Sequence, residues 1–518
     1  MKALSKIKWI IILSMVVYFS NDVNSQTNFI YGKQFGSDND EAAHNPVADH
    51  YGNVYIAGET QGVLSGRNFG KTDAFISKFG STGNMIWTKQ FGTSEDDKIT
   101  DLAIDRSGHL YATGYTKGVL NEKNFGNEDI IVVKFDTAGT IEWQKQYGTD
   151  STDIGNRIYI DVRGNIFVSG LTKGLMGKSS FGDVDCVILK LDNKGNIIWI
   201  KQFGTSKHDE CRGITGDSES NIYVCGYTEG DLAAKNKGKW DAFIGKFNDR
   251  GEQVKIFQFG TNDFDIANCI TMDKEKNIYV GGSTGGDFGG KQLGRGDSYL
   301  SKLNENFEIL WTQQFGTKRW DGVNGIALNE QISENIVVGC CQYGPTCQAS
   351  IRIFKKDGTP VGVNNYAAIG KNGGTCGQGV CIDNKGNIYQ TGNTGGSLFK
   401  SIDKTKGHDI FLIKLSMDKS QTNDTLPNLY KLTLKTEDLD KYLGVYSSKQ
   451  IPLNVTVTKD NVTLIAQATG QSSSPLEAID KDKFQIDDGM IILEFNTAQN
   501  ELTVSQANGE IFLLTKGK

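Results

Sequence analysis

Proline is nearly missing from this chain, with 6 residues in 518, so no Pro-rich extended linker runs through it. Histidine is scarcer still, with 5 residues at His44, His50, His109, His208 and His408. No H-E-x-x-H helix or paired Cys-x-x-Cys spacing occurs, and the one G-x-S-x-G match, Gly281–Gly285, runs on into the glycine-rich GDFGG and not into the helix that a nucleophile elbow needs. The common zinc-hydrolase, serine-hydrolase and zinc-ribbon readings are thereby removed. Basic residues do not exceed acidic ones, and the formal net charge is −6. A nucleic-acid surface needs a basic stripe, and attraction to an anionic membrane needs a basic patch. The longest apolar stretch, Trp9 to Phe19, is too short to span a bilayer, so no transmembrane segment is expected beyond the leader that contains it.

What is present is a repeat. Gly36, Gly92, Gly148, Gly204, Gly260 and Gly316 each end a near-copy of KQFG, and successive copies lie 56 residues apart. A weaker seventh copy ends at Gly370, after 54 residues. Each unit holds short runs rich in Ile, Val, Tyr, Phe and Trp, bounded by Gly, Asp, Asn or Ser. In the second unit these are Thr100–Asp105, His109–Thr116, Asp129–Asp136 and Thr140–Gly148. Such runs read as strands joined by tight turns. Ile130 to Val133 are apolar in succession, as a sheet covered on both faces requires.

The array opens at Phe29–Gly36, which matches a fourth strand, and closes at Asp409–Leu415, which matches a third. The first strand of the chain therefore supplies what the last unit lacks. An open solenoid needs caps, whereas a ring needs none. The expected fold is all-β: a seven-bladed β-propeller of four-stranded antiparallel blades, closed by the N-terminal strand, with a small C-terminal β-rich domain.

Residues 1–25 read as a signal peptide. Lys2, Lys6 and Lys8 precede the apolar stretch, and Val23-Asn24-Ser25 precedes a cleavage site before Gln26. A retained N-terminal anchor is the alternative. Removing the segment takes the charge from −6 to about −8. The propeller then spans 26–417, a polar linker 418–428, and the accessory domain 429–518. Strands are expected in the tail at Tyr442–Tyr446, Leu453–Thr458, Val462–Gln467, Met490–Phe495, Leu502–Ser505 and Ile511–Thr515. The chain has 9 Cys, an odd number. Cys225 and Cys269 sit within strands as small buried residues. Cys340, Cys341 and Cys347 are candidates for a bridge in an oxidising compartment, with the connectivity open.

Three Asp series follow the repeat. Asp49, Asp105, Asp161, Asp217, Asp273 and Asp383 (Asn329 in the sixth unit) enter D-x-x-G-N-like turns, where Asp caps the backbone. Asp97, Asp153, Asp209, Asp265 and Asp321 (Glu41 in the first unit), and Asp73, Asp129, Asp185, Asp241, Asp297 and Asp409, flank loops at one end of the barrel. They read either as strand-end caps or as a carboxylate ring able to hold Ca²⁺ or a cationic partner. No D-x-D-x-D spacing concentrates ligands, so no cofactor is required.

Trp87, Trp143, Trp199 and Trp311 share one place in the fourth strand and read as packing between blades. Other aromatics break the repeat: Trp240, Phe264 and Trp320, beside Asp265 and Asp321. His208 and Asp209 join them at the same end. Loop aromatics with carboxylates are what a sugar-binding surface uses, through stacking and hydrogen bonds. These seven residues are the candidate ligand site. Ser401-Ile402-Asp403-Lys404 matches S-x-x-K, but that chemistry needs a helix and this stretch reads as a loop.

The combination W-x-K-Q-F-G, D-x-x-G-N-I-Y-V-x-G and D-x-F-I-x-K-F resembles the β-propeller repeat of bacterial extracellular proteins, over about residues 27–417. The resemblance implies a secreted or cell-surface location and carries over no catalytic residue. The sixth unit departs most, at Pro345–Ile353. The tail, through Y-L-G-V-Y and Leu464–Gln471, resembles the small domain found downstream of β-lactamase-like serine hydrolases, where it is an accessory. The expected function is a non-enzymatic scaffold for a protein or glycan partner. The alternative is a carbohydrate-active hydrolase or lyase using loop-face carboxylates.

Overall fold

The computed structural model describes residues 27–120, 123–330, 334–343, 347–366, 374–399 and 407–417 of the repeat region. In the tail it describes 436–448, 452–460, 463–471, 473–480, 482–486, 491–506 and 511–517. The leader, the linker, Gly370 and Ser401–Lys404 lie outside the described residues.

Seven antiparallel sheets form the blades of a propeller. Blade 2 is representative, with strands Asp97–Ile104, Leu110–Thr116, Asp129–Phe135 and Ile141–Tyr147 in sheet order. Blade 1 precedes it, and its first strand is broken into Glu41–Ala43 and Val47–Ala48 around Pro46. Blades 3, 4 and 5 begin at Asp153, Asp209 and Asp265, and blade 6 at Trp320. Blade 7 joins Thr375–Ile382, Asn387–Thr394 and Asp409–Ser416 to Asn28–Phe35 from the start of the chain. Phe35 pairs with Ile410 and Asn28 with Ser416. The N-terminal strand thus closes the ring as the repeat pattern required.

The packing follows from the sequence. Ile130, Ile131, Val132 and Val133 are all fully buried, because the neighbouring blades cover both faces of this strand. The turn between third and fourth strands carries a glycine at positive φ, such as Gly139 at +81°. The Trp of the preceding blade lies on it, and a Cβ at Gly139 would come within 2.7 Å of Trp87. One glycine therefore serves both turn and interface. Trp143, Trp199 and Trp311 repeat the contact and donate indole N–H to a turn carbonyl of the next blade at 3.2, 3.0 and 3.1 Å.

The three Asp series prove to be three clamps. Asp161 accepts from the backbone N–H of Arg163 and Asn165, each at 2.9 Å, and so forms the turn. Asp97 accepts from Thr93 N–H at 2.6 Å, Thr93 Oγ1 at 2.9 Å and Thr116 Oγ1 at 2.5 Å. Asp73 accepts from Phe69 N–H and from the Gln90 amide, each at 2.7 Å. Gln90 is the Q of KQFG, which gives that motif its structural meaning. All three carboxylates bind donors of their own blade, from side chains that are buried or nearly so.

Cys225 and Cys269 are buried, as expected from their strands. The bridge is made between Cys341 and Cys376, and it ties the second strand of blade 6 to the first strand of blade 7.

The tail is a separate unit. Its eight strands run Gly444–Ser447, Asn454–Asp460, Thr463–Ala468, Ser474–Asp480, Lys483–Ile486, Ile491–Asn496, Glu501–Gln506 and Ile511–Lys516. Each pairs with the next, and Tyr446 pairs with Lys516 to close a barrel. Tyr442, Tyr446, Phe484, Phe495 and Leu514 fill its core. The hairpin at 474–486 is absent from the sequence reading, because Pro475 and alternating charge disguise it.

Candidate functional site

The first strand of each blade is innermost, and in blades 2 to 7 it carries a β-bulge. In blade 2 the register shifts between Ile99 and Asp101, leaving Thr100 unpaired. The same irregularity releases Asn156, Arg212, Asn268, Asn324 and Gln378 in blades 3 to 7. A bulge re-aims a side chain, and here each one is turned into the central channel. His44, at the break in the first strand of blade 1, completes the ring. These residues line a cavity of about 260 Å³ together with Asn45, Arg157 and Glu210. Each lies eight residues after its anchor glycine, as Thr100 follows Gly92. At this position the seven blades carry five different side-chain types, all polar.

Several ring residues also stitch the blades together. Thr100 donates to the Gly155 carbonyl at 2.5 Å, Asn156 to Cys211 at 2.8 Å, Asn268 to Val323 at 3.1 Å and Asn324 to Gly377 at 2.9 Å. Arg212 departs from this pattern and reaches the Asn268 side-chain oxygen at 3.1 Å.

Two charged clusters stand at the mouth. In blade 4, Arg212 Nε donates to Glu210 at 3.1 Å, and the Tyr227 hydroxyl donates to the other Glu210 oxygen at 3.0 Å. His208 Nε2 lies 2.9 Å from that hydroxyl. Burial pushes the Glu210 carboxyl up, but His208, the Arg212 guanidinium and the Tyr227 hydroxyl overcome it and hold it at about 2. Across the ring, Glu59 meets His44 at 2.9 Å and Lys98 at 3.4 Å. Burial again opposes ionisation there, and His44 and Lys98 together outweigh it, holding the carboxyl below the ordinary glutamate range.

The candidate residues read from the sequence fall into two groups. His208, Trp240, Phe264 and Trp320 belong to one aromatic row. His208 stacks on Tyr227 with ring centres 5.4 Å apart, and Tyr227 meets Trp240 at 5.3 Å. Trp240 meets Phe264 edge-on at 6.2 Å, and Phe264 stacks on Trp320 at 4.6 Å. Gly296 permits that last stack, since a Cβ there would lie 2.8 Å from Trp320 and 2.9 Å from Phe264. The row crosses blades 4 to 6 on the face that bears the channel mouth, and Tyr227 joins row to mouth. Trp320, at its far end, is 43% exposed.

Asp209, Asp265 and Asp321 form the second group, and they point inward. Each is buried and accepts from the Thr four residues before it, as Asp209 does from Thr205 N–H at 2.6 Å and Oγ1 at 2.8 Å. Burial raises all three carboxyls above the ordinary range, Asp321 to about 6. Among the described residues one acidic trio has metal-like spacing: Asp273, Glu275 and Glu330. The Lys356 ammonium already occupies its centre, bonded to Glu330 and lying 2.9 Å from Glu275 and 3.7 Å from Asp273.

The residues that sequence reasoning passed over are the ring itself, Glu210, Arg212 and Tyr227. The one signal of the ring was a polar residue eight places after the anchor glycine in every unit, and nothing in the pattern marked the bulge that turns it to the axis.

Residues 86–121, 142–175 and 198–233 match the family model of the β-propeller repeat, so the chain carries that repeat in these three segments. A curated relative, the regulatory protein FlaEY of Caulobacter vibrioides, is 24% identical over 196 residues, 35% of this chain. The match spans 20% of that relative's length. Among solved structures, a streptogramin B lyase is 15% identical with a TM-score of 0.45, covering 75% of this chain and 98% of its own. An ulvan lyase of a polysaccharide lyase family is 14% identical with a TM-score of 0.43, covering 71% and 94%. Likeness at this level names no activity for this chain.

Proposed function

We propose that this β-propeller repeat protein is a binding scaffold acting outside the cell, and that its loop face takes a glycan chain. One observation carries the reading. Three aromatics that break the repeat in three consecutive units touch in a single row, and the row leads to the polar channel mouth. The accessible faces of Trp320 and Trp240 stack on the apolar side of sugar rings, the buried Phe264 holds them in line, and Asn, Arg and His supply directional hydrogen bonds. A rigid ring holds such a row in place without ordering cost at the moment of binding.

The hydrolase alternative fits the mouth less well. A carboxylic general acid must hold its proton near neutral pH. Glu210 and Glu59 are both held ionised by their cations, and Asp209, Asp265 and Asp321 are turned into the blades.

The test is calorimetric titration of residues 26–518 with a panel of soluble oligosaccharides. One class of glycan binds, and Trp320→Ala and Trp240→Ala each weaken it by about tenfold, as expected for aromatic anchors. Binding that ignores both substitutions sinks the reading, as does a panel with no binder.

A further inference from the structure

Next to the bulge ring lies a second ring, one residue further along each first strand. It consists of Asn45, Asp101, Arg157, Gly213, Cys269, Gly325 and Gly379. Blades 4 to 7 offer glycine or cysteine there, and the glycines are enforced by contact. A Cβ at Gly379 would lie 2.0 Å from Asn45 Oδ1, and one at Gly325 would lie 2.9 Å from the Val380 nitrogen. The three glycines are closed against neighbouring residues and send no side chain to the axis, where Arg157 lines the channel. Its guanidinium lines the upper cavity of about 260 Å³ and a lower one of about 170 Å³.

Arg157 is poorly matched there. It donates to carbonyl oxygens of Thr100, Asn156 and Asn324 at 3.5, 3.3 and 3.4 Å, all at the long limit for such bonds. Among the described residues no carboxylate pairs with it within 4.0 Å. Asp101, the acid beside it, accepts instead from the Asn45 amide at 3.0 Å and from Ile158 N–H at 2.9 Å. A guanidinium inside a protein is normally paired with a carboxylate or phosphate, often in bidentate fashion. The second guanidinium of the cavity, Arg212, is already committed to Glu210 and to the Asn268 side-chain oxygen. Asn156 and Asn324 commit their amide N–H to backbone carbonyls. Asn45 Oδ1 is buried with no hydrogen-bond partner.

We propose that the channel is a subsite for a hydroxylated carboxylic acid, a uronic acid residue of the bound glycan. Arg157 takes its carboxylate, and the Asn amide oxygens accept from its hydroxyls. The upper cavity has the volume of roughly eight waters, enough for one sugar ring and not for a polymer crossing it. This inference rests on the loop face being a glycan site, and it adds the charge of the residue nearest the axis.

The test compares an oligogalacturonate with a neutral oligosaccharide of equal length, on wild type, Arg157→Gln, Arg157→Lys and Trp320→Ala. Wild type prefers the acidic chain by about 10- to 100-fold, the range for a hydrogen bond to a charged group. Arg157→Gln abolishes that preference while keeping the neutral affinity, and Arg157→Lys restores part of it. Trp320→Ala weakens both ligands alike, which reports on the row and not on the channel. An absent preference, or one that survives Arg157→Gln, overturns the proposal. If neither oligosaccharide binds, the glycan reading falls, and free glucuronate decides the channel separately. A rise in melting temperature in wild type but not in Arg157→Gln then supports an acid site. No rise rejects it.

Discussion

Blades 2, 3 and 5 and blade 6 hold the same four strands by different means. In the regular blades a buried Asp at the head of the first strand accepts from a Thr at the end of the second, as Asp97 does from Thr116 and Asp265 from Thr284. A second Asp opens the third strand and takes the Gln of the fourth, as Asp129 takes Gln146 at 2.7 Å. Blade 6 keeps Asp321 but places Gln342, Gln348 and Asn365 where Thr, Asp and Gln belong. Arg352 lies beneath, stacked 4.6 Å from Phe315. The Cys341–Cys376 bridge ties this blade to the next. The repeat thus specifies a hydrogen-bonded clamp, and where the clamp has decayed a covalent link to the neighbour stands in its place.

The largest expected effect comes from removing a complete clamp. Asp153→Ala strands the Thr149 N–H and the Thr172 hydroxyl and should cost about 4 kcal/mol in denaturant unfolding. Asp321→Ala has less to lose, about 2 kcal/mol. Equal losses at the two positions would erase the distinction between the blades.

The staple comes next. Cys341→Ser should lower stability by about 3 to 4 kcal/mol, the loop-closure value for a separation of 35 residues. A reductant should lower the melting temperature of wild type and leave that of the variant unmoved.

Titration then separates clamp from mouth. Burial lifts the Asp321 carboxyl to about 6, above the unfolded value of 3.8, so the folded chain binds the extra proton between them. Stability from this group is complete below pH ~4 and falls as pH rises towards 6. Asp321→Asn should remove that slope, a change on the order of 2 kcal/mol read from unfolding curves at pH 4 and 7. Glu210, held at about 2, has the opposite sign. It stabilises above pH ~4.5 and loses that contribution as pH drops to 2. Glu210→Gln should therefore cost stability at pH 7 and nothing at pH 2.

The smallest effect on stability belongs to Trp320→Ala, about 1 kcal/mol, because the ring is part exposed and loses chiefly its stack on Phe264. A loss above 2 kcal/mol would make the row part of the frame and not a binding surface.

Most of the frame was legible because a period of 56 residues repeats every packing decision. The aromatics that touch across blades were visible as exceptions to that period, although only the ring brings Trp240, Phe264 and Trp320 into one row. The channel was not legible. Thr100, Asn156 and Arg212 look like ordinary strand residues, and it takes a bulge, invisible in the pattern, to turn them to the axis. Nor does spacing show that His44 and His208, far apart in sequence, stand at one mouth. The bridge partner of Cys341 was hidden for the same reason, since Cys376 belongs to a different unit.

The closing strand sets a schedule for folding. Gln34 hydrogen-bonds to Asp409, 375 residues later. The first strand to be made is thus among the last to find its partners, and six blades can form before it does. Until then the ring presents two raw edges, Asn28–Phe35 and Asp409–Ser416, that match each other and equally match those of a second copy. Refolding should consequently slow at its final step and turn concentration-dependent, with exchange of the closing strand between chains as the characteristic error.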